Sequence, residues 1–126
     1  MSIKPHTVSV TGLGSAKNGF DNWWFQRISA IAIVFLGLWL LISFVGISDL
    51  SYGQMMDWFQ EPIHAFLLIL TILSVGIHSK LGIEVIIEDY VHSKATKVIS
   101  LILNVLLHIS LTALGVFSIV VLFIGV

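Results

Sequence analysis

The chain has 126 residues, 57% hydrophobic and 10% charged, with six Lys+Arg against seven Asp+Glu and no cysteine. Soluble domains carry about a quarter charged residues, so a mean hydropathy of +1.03 places this chain in a membrane. The nearly balanced charge speaks against a nucleic-acid partner. The missing thiols exclude disulfides, cysteine-held iron–sulfur clusters and thiol catalysis within the chain.

Residues 1–22 are polar and dotted with glycine, carry Lys4 and Lys17, and show no apolar stretch of the secretory type. An Arg-rich amphipathic transit peptide is missing too, so the first membrane helix is expected to direct insertion. The sequence predicts an N-terminal arm over 1–27, closed by Arg27, and a three-helix membrane domain over 28–126.

The first apolar run is 28–47, long enough for the ~20 residues that span a bilayer as an α-helix. A loop over 48–61 follows, with Asp49, Asp57 and Glu61 but no Lys or Arg. The second run opens at Pro62, a residue suited to a helix first turn, and continues to Tyr90. A short loop over 91–97 carries Lys94 and Lys97, and the third run is 98–126. Trp23, Trp24 and Trp58 stand beside predicted helix ends, as interfacial aromatics do. Positive charge gathers in the arm and the second loop. By the positive-inside rule both face the cytoplasm or matrix. The expected fold class is an all-α membrane protein with three transmembrane helices.

The second helix carries the chemistry. His78 lies well inside the span, where an ionisable residue is a functional candidate by default. Metal or haem ligation and proton relay are its productive uses; a hydrogen bond between helices is the plain structural one. Gly82, one turn on, leaves room for a flat cofactor against the helix. At about 100° per residue, Asp89 returns to nearly the face of His78, with Gly82 and Val85 on the same stripe. Lys80, Glu84 and Glu88 gather on the other side, and Lys80 and Glu84 have the i,i+4 spacing of an ion pair. Charges at this depth face protein or water rather than lipid. Three helices cannot cover both faces of this one, so a partner protein is expected. An aspartate opposes the macrodipole at a helix C-terminus, which argues for a specific partner at Asp89.

Three further residues have two readings each. His64 lies fourteen residues before His78, a spacing like that of two stacked haems on one helix, but its place beside Pro62 favours an interfacial role. His108, midway through the third helix, is the second ligand candidate after His78, but with only Asn104 and Ser110 as polar neighbours within a turn the structural reading is favoured. Arg27 is a topology-setting cation that snorkels to the interface, or a partner for a carboxylate group of a cofactor.

At these residues the chain resembles the small hydrophobic membrane-anchor (D) subunits of succinate dehydrogenase, respiratory complex II. Asn18-Gly19, then Arg27 nine residues after Asn18, then Ile-Ser-Ala make one motif; His78-x-x-x-Gly82 with Asp89-Tyr90 at the helix end makes the other. The three-helix layout and the length agree. The resemblance implies half of a heterodimeric haem-binding helical bundle, with the sister anchor of cytochrome b type as partner. His78 would be one axial ligand of the iron of haem b and Arg27 would stand near a haem propionate. Tyr90 would donate a hydrogen bond to ubiquinone, with Asp89 in support. Iron–sulfur and flavoprotein subunits would complete the complex in a bacterial cytoplasmic or mitochondrial inner membrane, and this chain would contribute to the quinone site without itself oxidising succinate. The alternatives are the anchor of a quinol:fumarate reductase and a non-redox structural or assembly protein. Glu84, Glu88, His64 and His108 receive no role from the resemblance.

Overall fold

The structure, a computed structural model, describes residues 13–126, with side chains from residue 19 onward; Lys4, His6 and the side chains of Lys17 and Asn18 fall outside them. Four helices follow one another: α1 (Leu13–Val45), α2 (Tyr52–Gln60), α3 (Pro62–Tyr90) and α4 (Lys94–Ile124). Three of them, α1 over Gly19–Val45 together with α3 and α4, are long and apolar enough to cross a membrane. Together they make the expected all-α membrane protein.

The first helix extends well into the stretch expected as an arm. Its 33 residues reach about 50 Å at 1.5 Å per residue, against a hydrocarbon core of about 30 Å. Hydropathy marks where lipid begins, whereas the helix is set by main-chain hydrogen bonds, and no proline interrupts residues 13–45. The segment expected as a loop over 48–61 contains α2. Its pattern is amphipathic over little more than two turns: Met55, Met56, Trp58 and Phe59 are covered, while Gln54, Asp57 and Gln60 are exposed.

The bounds of α3 are those expected. Glu61 is extended (φ −69°, ψ 119°), Pro62 occupies the first turn, and Val91 is extended again (φ −94°, ψ 106°). The fourth helix starts four residues ahead of its apolar run, so the turn after Tyr90 is short. Lys97 Nζ spans it, donating to the Glu88 carbonyl at 2.8 Å. Gly125 ends α4 in the left-handed region (φ 79°), where its N–H meets the carbonyls of Val121 and Leu122; a residue without Cβ takes that conformation at no steric cost.

The third helix is central. It packs against α1 on one side and α4 on the other, and among the described residues α1 and α4 have no close backbone approach. The spans therefore form a layer rather than a closed bundle. The small core lies at the α2 end, where Trp58, Ala65, Leu68 and Ile119 are buried beside Trp39 and Ile72. Trp58 Nε1 donates to Ser43 Oγ at 3.1 Å and fixes α2 to α1. Between α3 and α4 small residues permit close approach: Gly76 faces Thr112, and a Cβ on Gly115 would stand 3.1 Å from Ile72 Cγ2. Broad apolar faces remain, including Val34, Phe35, Leu41 and Ile42 on α1. Lipid or another protein must cover them.

Candidate functional site

His78 lies 16 residues into α3, about 24 Å along the helix axis. Its ring is half-buried and turned to α1. Nδ1 stands 3.2 Å from the Gln26 carbonyl oxygen and 3.3 Å from Ser29 Oγ. A carbonyl only accepts, so Nδ1 must carry the proton in the first of these bonds. The Ser29 hydroxyl donates to the same carbonyl at 3.0 Å, which leaves its oxygen lone pairs to face Nδ1–H. In the neutral ring the lone pair then belongs to Nε2. That is the form in which imidazole ligates a metal, with its other nitrogen held by a carbonyl or similar acceptor.

In the sequence Ser29 is only part of the lead-in to the first helix, and Gln26 carries no motif. The available signal was a small polar residue inside an apolar run, two positions past Arg27. Ser29 is 6% exposed, which its type alone would not indicate. Gly82 lies on the same side of α3 as His78, and a Cβ there would stand in ordinary van der Waals contact with Gln26 Nε2, 3.6 Å away. Among the described residues the Gln26 amide is the one group from another helix near Gly82.

Arg27 is exposed, and its guanidinium lies over the Trp23 ring, 5.5 Å from the centroid. It is the next residue after the carbonyl that holds His78, so cation and imidazole belong to one region of the α1–α3 face. Asp89 ends the stripe that His78 begins, and Tyr90 follows it as the last residue of α3. Eleven to twelve residues separate them from His78, about 17 Å along the axis, or half the hydrocarbon core. Both are exposed, Tyr90 to 77%. The Tyr90 carbonyl accepts from His92 Nδ1 at 3.0 Å. Among the described residues no side-chain hydrogen bond engages the Asp89 carboxylate or the Tyr90 hydroxyl.

The opposite face of α3 meets α4. Lys80 and Glu84 form the expected ion pair, with both side chains mostly covered. Asn104 is buried and donates through Nδ2 to the Lys80 carbonyl at 3.0 Å, while its Oδ1 has no partner among the described residues. One turn on, the buried His108 donates from Nδ1 to the Asn104 carbonyl at 2.8 Å, as a structural histidine does. Its ring borders an apolar cavity of about 820 Å³ between α3 and α4. His64 is held at the α2 end. Its Nδ1 donates to the Trp58 carbonyl at 2.9 Å, and its ring stacks on Trp58 with centroids 4.5 Å apart and lies 5.9 Å from Trp39. That ring belongs to the aromatic packing between α2 and α3.

Among the described residues no three His, Asp or Glu side chains converge as a metal-binding cluster. What α1 and α3 provide is one imidazole whose Nδ1 is held by the Gln26 carbonyl and Ser29 Oγ.

The chain matches the family model described as the succinate dehydrogenase/fumarate reductase transmembrane subunit over residues 1–124. It is 32% identical over 89 residues to the succinate dehydrogenase hydrophobic membrane anchor subunit of Rickettsia bellii, covering 71% of each chain. It is 33% identical over 91 residues to the succinate dehydrogenase membrane anchor subunit of Reclinomonas americana, covering 69% of this chain and 75% of the relative. Identity to the succinate dehydrogenase hydrophobic membrane anchor subunit of Paracoccus denitrificans is 27% over 107 residues, 85% of this chain and 82% of that one. With the family model spanning nearly every residue and three apolar helices of which α3 is the central one, the chain belongs to the succinate dehydrogenase/fumarate reductase transmembrane subunit family, among its hydrophobic membrane anchors.

Proposed function

We propose that this anchor supplies one axial histidine, His78, to a b-type haem shared with a second, sister anchor of cytochrome b type, and that Tyr90 and Asp89 form part of a ubiquinone-reduction site. The observation that carries the reading is the bond from His78 Nδ1–H to the Gln26 carbonyl. It presents the ring as a neutral Nε2 donor, so the residue fits the group it would hold. A second ligand has to come from another chain, and the layered arrangement of the helices leaves a face of α3 for it.

Haem b, when bound, supplies one-electron transfer within the membrane. The other roles belong to this chain's own side chains. Arg27, free to leave its Trp23 ring, neutralises a propionate at the membrane margin. Tyr90 projects its hydroxyl where a quinone headgroup can reach it from the bilayer, and donates to one carbonyl oxygen. That bond strengthens as negative charge builds on the oxygen. Asp89 holds the surrounding polar groups and water in place.

In this reading the complex also contains an iron–sulfur protein and a flavoprotein that oxidises succinate. The first must hold every cluster, since the anchor has no cysteine. The N-terminal side faces the cytoplasm or matrix, in a bacterial cytoplasmic or mitochondrial inner membrane, a placement supported by Lys94 and Lys97 in the first turn of α4 and by the basic arm.

The test is the reduced-minus-oxidised spectrum of the purified complex carrying His78→Ala. The b-type band is expected to vanish or shift strongly, while His64→Ala and His108→Ala retain it. A full, unshifted band in His78→Ala would refute the assignment and leave a non-ligating anchor.

A further inference from the structure

We infer that Ser29 is a positioning residue for His78: with the Gln26 carbonyl it forms a two-acceptor cradle on α1 that sets the plane and the electron density of the imidazole on α3. The inference rests on the reading of His78 as an axial ligand and goes beyond it by naming what orients that ligand.

The geometry has three parts. The Gln26 carbonyl, a helical one, already accepts the N–H four residues on, so its remaining capacity is shared. Ser29 Oγ donates to it at 3.0 Å, the local back-bond a helical serine commonly makes. That donation points the hydroxyl proton away from His78 and turns the oxygen lone pairs to Nδ1, 3.3 Å off. Nδ1–H therefore meets two acceptors, at 3.2 and 3.3 Å, in a three-centre arrangement.

Two acceptors do what one cannot. The ring torsion of a histidine is broad, and a single hydrogen bond allows the plane to swing about the donor axis. A second acceptor removes that freedom. Both acceptors lie on α1, 49 and 52 residues from His78 in sequence, so ring orientation is set by the docking of α1 on α3. Ser29 is buried at 6% exposure, which keeps water from replacing the hydroxyl. An acceptor on Nδ1–H also raises the basicity of Nε2, and a more basic ligand favours the oxidised iron.

The experiment compares Ser29→Ala, Ser29→Thr and His78→Ala in the complete, purified complex. The readouts are haem content, haem midpoint potential and the low-spin EPR signal of the oxidised form. Ser29→Ala should move the midpoint potential upward, broaden or shift the EPR signal, and weaken haem retention by about tenfold, the lower end of what outer-shell changes cost. Ser29→Thr keeps the hydroxyl and should restore all three toward the parent values. Parent-like potential, EPR signal and haem content in Ser29→Ala would overturn the inference. Loss of haem in both Ser29→Ala and Ser29→Thr would overturn it too, since side-chain size and not the hydroxyl would then be at issue. Loss in Ser29→Ala with recovery in Ser29→Thr supports it. The ligand assignment itself is read from His78→Ala alone: retained haem there defeats the proposed function, whereas lost haem there with an unperturbed Ser29→Ala defeats only the role of Ser29.

Discussion

The Asn104 side-chain amide donates to the Lys80 main-chain carbonyl at 3.0 Å, joining α4 to α3 where α3 carries its charged face. The bond is made by Nδ2, and Oδ1 is buried without a partner among the described residues. An interhelical bond of this kind in a membrane is worth about 0.6 kcal/mol on average, and the orphaned oxygen offsets part of it. Asn104→Leu should therefore change the thermal stability of the complex by less than about 1 kcal/mol. Asn104→Asp should be much worse, because a buried carboxylate would face the Lys80 carbonyl with no proton to offer. Thermal unfolding of the two variants in detergent tests the contrast; equal stabilities would show that the amide bond is irrelevant to α3–α4 docking.

The backbones of α3 and α4 approach closely at Gly76, where an added Cβ would collide with Thr112 Oγ1 and lie 3.4 Å from Thr112 Cγ2. Gly76→Ala should destabilise the complex by about 1–3 kcal/mol, the cost of overpacking a tight contact. Adding Thr112→Ala removes both offending atoms and should recover most of the loss. The coupling energy of the double-mutant cycle measures this. A value near zero would mean that the helices separate without penalty.

Tyr90 is 77% exposed and its hydroxyl has no partner among the described residues, so Tyr90→Phe should alter stability by no more than about 0.5 kcal/mol. Succinate-driven quinone reduction should fall about tenfold, the effect of losing about 1.4 kcal/mol of transition-state stabilisation. Reduction of a soluble artificial acceptor should be unaffected. Asp89→Asn should show a milder loss of the same kind, since it keeps shape and removes charge. Parent-like quinone kinetics in Tyr90→Phe across quinone concentrations would make the tyrosine an interfacial anchor and nothing more.

Local signals were enough to determine much of this protein from its sequence. Apolar run length located the spans, Pro62 marked the start of α3, and helical periodicity paired Lys80 with Glu84 and put His78, Gly82 and Asp89 on one stripe. Each of these depends on residues within a few turns of one another. Hydropathy misplaced the start of α1 and hid α2, because helix formation follows main-chain hydrogen bonding and hydropathy follows lipid. What only the tertiary structure decided is which helix each face meets. The rotation of α1 against α3 brings Gln26 and Ser29 to His78 across 52 and 49 residues, and sets the Gln26 amide near Gly82. Asn104 reaches Lys80 across 24 residues in the same way. A one-dimensional pattern gives the direction a side chain leaves its own helix, but its partner depends on how two helices dock, and that is settled by close packing at contacts such as Gly76 against Thr112.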